Sequence, residues 1–203
     1  MFFSRTVRKH KVVFTESQFQ NPQITVGRYT YGLPRIYSVN WPCAVKIGSF
    51  CSIADHVQIF MDVNHRLDWV TTFPFPALSE FSEADHIYGH PWARGDVQIG
   101  NDVWIGNDVS ILSGVTIGDG AVIGTGAMVT KDIPSYAVAV GNPAKVIKLR
   151  FTETQIAQLL KIRWWDWPIE KIRAYIPLLC GDIEIFLQKI TETECLAEIL
   201  SQD

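Results

Sequence analysis

Five histidines are available to this chain as bases or metal ligands, and their surroundings differ. His65 stands in the run Asn64-His65-Arg66-Leu67-Asp68-Trp69-Val70-Thr71-Thr72-Phe73-Pro74-Phe75, among aromatic side chains able to wall a pocket. A neutral imidazole there could act as a base near physiological pH. His86 and His90 follow with Glu83 and Asp85, a group that could bind a metal but reads more simply as loop polarity. His10, in a basic stretch with Arg8, Lys9 and Lys11, reads as solvated. Cys43, Cys51, Cys180 and Cys195 form no Cys-x-x-Cys pair and no metal-ligand spacing, which fits a reduced cytosolic chain with no metal site.

The elements that must position His65 are unusual. From Ile99 to Pro134 the chain repeats every six residues, with an aliphatic side chain at Ile99, Ile105, Ile111, Ile117, Ile123 and Val129. Four residues after each comes Val103, Val109, Val115, Ala121, Ala127 or Ile133, with glycine or polar residues between. A strict period of six fits neither an amphipathic helix nor an ordinary alternating strand. It fits short strands joined by tight turns, each hexapeptide one side of a triangular prism. Three sides make a coil of roughly eighteen residues, and stacked coils form a parallel β-helix with an aliphatic interior.

A shorter piece of the same pattern runs from Ile47 to Ile59, and Ile24 to Gly32 reads as a first, irregular coil. In this register Cys51 points inward as core filling, and His56 sits at a corner and points outward. Between about residues 60 and 96 the repeat is interrupted, and a long insertion in a compact repeat array is usually functional. After Gly141-Asn142-Pro143-Ala144-Lys145 turns the chain, Thr152 and Gln155 fit a capping box that opens a helix. Further helices are expected over Ile169 to Ile176, Asp182 to Ile190 and Glu192 to Leu200, separated by Pro168, Pro177 and Gly181 and covering the open end of the prism. Trp164, Trp165 and Trp167 read as packing residues. The division is thus a β-helix domain over 1–150 with its inserted loop, and a helical extension over 151–203.

Length and composition agree with this picture. The 203 residues are 47% hydrophobic with a net charge of −3, and no basic run gives a footprint for nucleic acid. No segment approaches a membrane span and no apolar signal core is present, so a cytoplasmic location is expected.

The run from Asn64 to Phe75 is similar to the signature of the xenobiotic acetyltransferases, the hexapeptide-repeat family that includes chloramphenicol and streptogramin acetyltransferases. Val26 to Gly32, Val45 to Ala54, Gly141 to Lys145 and Trp164 to Trp167 resemble that family in the same order, so the likeness covers about Ile24 to Ile190. Met61-Asp62-Val63 departs from it, replacing a small glycine-containing run.

The resemblance implies a left-handed sense for the coils and direct transfer of an acetyl group from acetyl-coenzyme A to an acceptor hydroxyl. His65 would be the general base, and backbone N–H groups of a facing coil would hold the developing oxyanion. By the same likeness Asn107, Thr125, Thr130, Lys131, Lys145 and Lys148 line the coenzyme groove, the two last lysines pairing with phosphates. Trp69, Phe73, Phe75 and Trp92 are candidates for the acceptor wall. The family packs three chains side by side as a homotrimer with sites shared between neighbours. A sugar or polysaccharide O-acetyltransferase is the alternative within the same chemistry. A hexapeptide carbonic anhydrase would need three zinc-binding histidines on the coils, and none occurs between Val97 and Phe151. A non-catalytic scaffold would have no use for the His65 loop.

Overall fold

The structure is a computed structural model that describes residues 12–200. His10 therefore lies outside the described residues, as does the side chain of Cys195. Coil 1 contains β1 (Ile24–Val26) and β2 (Arg35–Tyr37), and coil 2 contains β3 (Val45–Ile47), β4 (Ser52–Ile53) and β5 (Gln58–Phe60). Coil 3 contains β6 (Val97–Ile99), β7 (Trp104–Ile105) and β8 (Ser110–Leu112). Coil 4 contains β9 (Thr116–Ile117), β10 (Val122–Ile123) and β11 (Met128–Val129). A last partial coil carries β12 (Ala137–Val140), followed by β13 (Lys145–Leu149).

The coils stack into three flat faces. Face one is β1-β3-β6-β9, face two is β4-β7-β10-β12 and face three is β2-β5-β8-β11, all parallel. Register follows the hexapeptide: Ile59 pairs with Ile111 and Ile111 with Val129, so each inward side chain sits on its counterpart in the next coil. The twelve repeat positions named above are all buried in one core, together with Cys51, which faces inward as expected. Each fully buried Ile or Val contributes about 1.5–3 kcal/mol. His56 is exposed at its corner, its Nδ1 3.1 Å from Asp108.

The corner between faces one and two turns through a left-handed residue in every coil: Tyr29, Phe50, Asp102, Gly120 and Tyr136. Only glycine serves at position 120, because a Cβ there would meet the Tyr136 ring at 2.4 Å. This corner is also the aromatic one. Tyr29 stacks on Phe50, Phe50 meets Trp164, and Arg28 Nη2 donates to the Trp165 carbonyl at 2.8 Å. The helices therefore lie along an edge of the prism, from Arg28 in coil 1 to Tyr136 at the start of the last partial coil, rather than only over its open end.

Helix α1 (Glu153–Ile162) opens with the expected capping box of Thr152 and Gln155. Trp165 is buried, as its packing role requires. Two of the expected helix boundaries do not occur. Helix α2 (Ile169–Leu179) runs through Pro177, which can make no backbone bond to Arg173, and ends two residues later. Helix α3 (Ile183–Leu200) is continuous where two segments were expected. No glycine or proline interrupts it, and Thr191 and Thr193 return their hydroxyls to the carbonyls of Leu187 and Lys189 at 3.0 and 2.8 Å. Strand β13 was not foreseen; it returns antiparallel along β12 after the Gly141–Ala144 turn. Among the described residues, no helix is long and apolar enough to cross a membrane.

Candidate active site

The inserted loop leaves the prism after β5 and rejoins it at β6, at the corner between faces three and one. Its two ends are tied together. Asn64 N–H donates to the Trp92 carbonyl at 3.3 Å, Trp92 N–H returns to the Asn64 carbonyl at 3.2 Å, and Asn64 Nδ2 reaches Ser113 Oγ at 3.3 Å. The exit is anchored by Asp62, whose buried carboxylate accepts from Ser38 Oγ at 2.6 Å and from the N–H groups of Val39 and Asn40 at 2.7 Å. Burial alone would raise this carboxyl, but the bonds outweigh it and hold Asp62 below the usual carboxylate range. The Met61-Asp62-Val63 departure thus has a structural use: Met61 and Asp62 are fully buried under the loop stem.

His65 follows directly on this tie. Its Nδ1 lies 2.7 Å from the Thr72 carbonyl oxygen, and its backbone carbonyl accepts the Trp92 indole N–H at 2.9 Å. A carbonyl can only accept, so Nδ1 carries a proton, and in the neutral ring Nε2 keeps the lone pair. The imidazole of His90 stands edge-on to that of His65, with ring centroids 4.8 Å apart. Trp69 lies beyond, its ring 6.4 Å from His90 and capped by the Arg66 guanidinium at 5.4 Å. Arg66 is in turn paired through Nε with Asp68 at 2.7 Å. A shallow depression lined by Arg66, Leu67, Asp68 and Trp92 opens beside the histidine. Phe73 and Phe75 pack with Phe81, at centroid distances of 4.8 to 6.0 Å, and remain partly exposed.

The residues suggested for the coenzyme fall into two groups. Asn107 and Thr125 stack in successive coils at the corner between faces two and three, where Gly126 N–H donates to the Asn107 carbonyl at 2.8 Å. Lys145 begins β13 beside that corner, opposite Val140. Thr130 and Lys131 follow β11 at the other end of face three, on the His65 edge. Lys148 pairs with Val138, and both lysines are exposed. Within one chain, His65 and the Asn107–Thr125 column therefore sit at opposite ends of the face-three strands.

Sequence reasoning missed three parts of this arrangement. Thr72 as carbonyl partner, His90 as ring neighbour and Asp62 as anchor all depend on how the loop folds back. A second cavity, of about 430 Å³, lies far from His65 between the helices and the aromatic corner, lined by Phe50, Asp102, Tyr136, Arg150, Trp164 and Phe186 among others. Burial pushes the Asp102 carboxyl up to about 6, although Arg150 stands 3.6 Å away and opposes the shift.

Comparison with known proteins bears on the family. The family model for the bacterial transferase hexapeptide (six repeats) matches residues 96–131. A chloramphenicol acetyltransferase from Klebsiella aerogenes is 42% identical over 190 residues, covering 85% of this chain and 89% of the relative. Virginiamycin A acetyltransferase from Staphylococcus aureus is 38% identical over 156 residues, covering 70% of this chain and 66% of the relative. Among solved structures, a hexapeptide-repeat acetyltransferase from Vibrio cholerae aligns with a TM-score of 0.50 at 24% identity over 64% of each chain, a likeness of fold. With its repeat matched by the family model and identity of this order along nearly the whole of a relative, the chain belongs to the xenobiotic acetyltransferases, the hexapeptide-repeat family of the chloramphenicol acetyltransferases.

Proposed function

We propose that this chain is a cytoplasmic acetyl-coenzyme A-dependent O-acetyltransferase acting on a hydroxyl of an antibiotic-like small molecule of the chloramphenicol or streptogramin type. The observation that carries the mechanism is the 2.7 Å contact between His65 Nδ1 and the Thr72 carbonyl, which leaves Nε2 free as a base. The acceptor hydroxyl oxygen attacks the thioester carbonyl carbon as Nε2 takes its proton. The carbon–sulfur bond then breaks, and the proton passes from His65 to the departing coenzyme thiolate. The names of the relatives support the acceptor class.

The placement of the other residues suits a site shared between chains. Asn107, Thr125 and Lys145 on one edge would meet His65, Thr130 and Lys131 on the other edge of a neighbouring copy, with Lys148 nearby. The coenzyme arm would lie in the groove between them, the lysines pairing with its phosphates. Outward side chains agree with this packing. Face one presents Thr25, Lys46, Gln98 and Thr116, whereas faces two and three add Trp104, Val122, Phe60, Leu112 and Met128 beside the polar Ser52, Gln58 and Ser110, and Trp104 is 57% exposed. A homotrimer of left-handed prisms, each with a helical extension, covers that apolar surface. Trp69, Phe73 and Phe75 then border the acceptor, and Trp92 contributes from its place on the His65 carbonyl.

Release of free coenzyme A is measured with chloramphenicol, a streptogramin and a panel of sugars. Saturable release with an antibiotic is expected; release with sugars alone overturns the acceptor. His65→Ala should lower kcat by about 10²–10⁴ with binding of acetyl-coenzyme A retained. Near-wild-type turnover in that variant overturns the base.

A further inference from the structure

We propose that His90 is a positioning residue for this reaction, its ring forming the wall that keeps His65 in the rotamer with Nδ1 on the Thr72 carbonyl and Nε2 turned outward. The inference rests on the reading of His65 as the base. His65 is an exposed side chain held by one hydrogen bond of its own ring. An exposed side chain with so little to fix it changes rotamer on the picosecond to nanosecond scale. What limits it is the His90 ring, set against it at 4.8 Å with an interplanar angle of 76°.

The wall comes from the opposite end of the loop and is itself well held. His90 precedes the tie between Asn64 and Trp92 by two residues, so the bonds that close the loop stem also bring the two rings together. The Trp69 ring also neighbours it, with centroids 6.4 Å apart. His90 is half-buried, and burial together with the neighbouring His65 lowers its imidazole pKa from the ordinary value. The other charged groups here, Arg66 and Asp68, neutralise each other. A flat ring in van der Waals contact with His65 serves as a wall. The loop stem thus acts on the base twice: Trp92 fixes its backbone carbonyl and His90 its ring.

The test compares His90→Ala with His90→Phe in the full chain, each checked for a wild-type melting transition. His90→Ala should lower kcat by roughly tenfold to a hundredfold, the cost of loosening a positioned group, with KM for acetyl-coenzyme A unchanged. In protein labelled with ¹⁵N-histidine, the slowly exchanging Nδ1–H signal of His65 should weaken in the alanine variant. His90→Phe, which keeps a flat ring of similar reach, should restore most of the rate and the signal. A kcat for His90→Ala within about twofold of wild type, or a loss that phenylalanine does not restore, overturns the proposal. The NMR signal is read without substrate, so it answers even for an alanine variant with altered stability. His65→Ala run in parallel separates the two claims. If it is active the base assignment fails, whereas an inactive His65→Ala beside a fully active His90→Ala removes only the role of His90.

Discussion

In the coils each inward Ile or Val is held by its counterparts one coil above and below, whereas residues 61–96 are held by local backbone turns, a few side-chain bonds and the Phe73–Phe75–Phe81 cluster, with no repeat. Ile111 is packed between Ile59 and Val129 and would be placed the same way if any one neighbour changed slightly. His65 is placed by three single contacts, with Thr72, Trp92 and His90. A repeat array gains stability from nearest-neighbour stacking and has it in excess. The loop adds little to that sum, and what it offers is direction: it turns one imidazole toward one place. On the proposed role of His65, stability and chemistry are assigned to different parts of one short chain, and they should respond separately to mutation.

The sharpest way to break the comparison is to remove the loop. Replacing residues 66–89 with a short Gly-Asn turn leaves the Asn64–Trp92 tie in place. It should abolish acetyl transfer, by more than about 10³-fold, while shifting the melting temperature by no more than about 5 °C. A collapse of the melting transition would show that the loop belongs to the core after all. The converse change is Ile111→Ala, which empties a core position that is 0% exposed. It should cost about 2–5 kcal/mol in denaturant unfolding with the pH–rate profile of the folded fraction unchanged, and a cost below that of the partly exposed Leu112→Ala would contradict the ladder.

Asp62 stands at the boundary between the two regimes, buried like a core residue but bonded like a loop residue. Asp62→Ala strands the N–H groups of Val39 and Asn40, so it should cost about 1–3 kcal/mol and also lower kcat by loosening the loop stem. Stability loss with unaltered kcat would place Asp62 wholly on the side of the prism.

The same difference governs what could be read from the chain. The period of six gives the inward register residue by residue, because each hexapeptide carries its own side of the prism. That reaches Cys51 and His56, two positions outside the long repeat. The chemistry of the loop was legible only as the isolated motif from Asn64 to Phe75; the contacts of His65 with Thr72 and His90 join residues whose spacing has no period. Strand β13 was hidden for another reason. All five of its residues are exposed, so burial leaves no pattern in Lys145-Val146-Ile147-Lys148-Leu149, and the pairing with β12 comes from the turn before it. Pro177 marks the end of its helix only to within two residues, because the turn around it is completed as far as Leu179.

The smallest expected effect tests the prism at the one corner where it carries an ionisable group under the helices. Asp102 is 31% exposed at its side chain and faces an apolar cavity, with Arg150 as a partial counter-ion that also donates to the Gly120 carbonyl at 2.6 Å. Its carboxyl is raised to about 6 in the folded chain, against roughly 3.9 for an unfolded aspartate. The folded state therefore holds the proton more tightly than the unfolded one. The resulting stabilisation is complete below the unfolded value and is lost as pH rises through that interval to beyond 6. Asp102→Asn removes this titration and leaves Arg150 its bond to Gly120. The drop in melting temperature between pH 5 and pH 7.5 should accordingly be smaller in the variant than in the wild-type chain, with acetyl transfer unchanged because the cavity is remote from His65. Equal drops in the two proteins would mean that Arg150 compensates the buried carboxylate fully and that this corner, like the rest of the prism, is indifferent to pH.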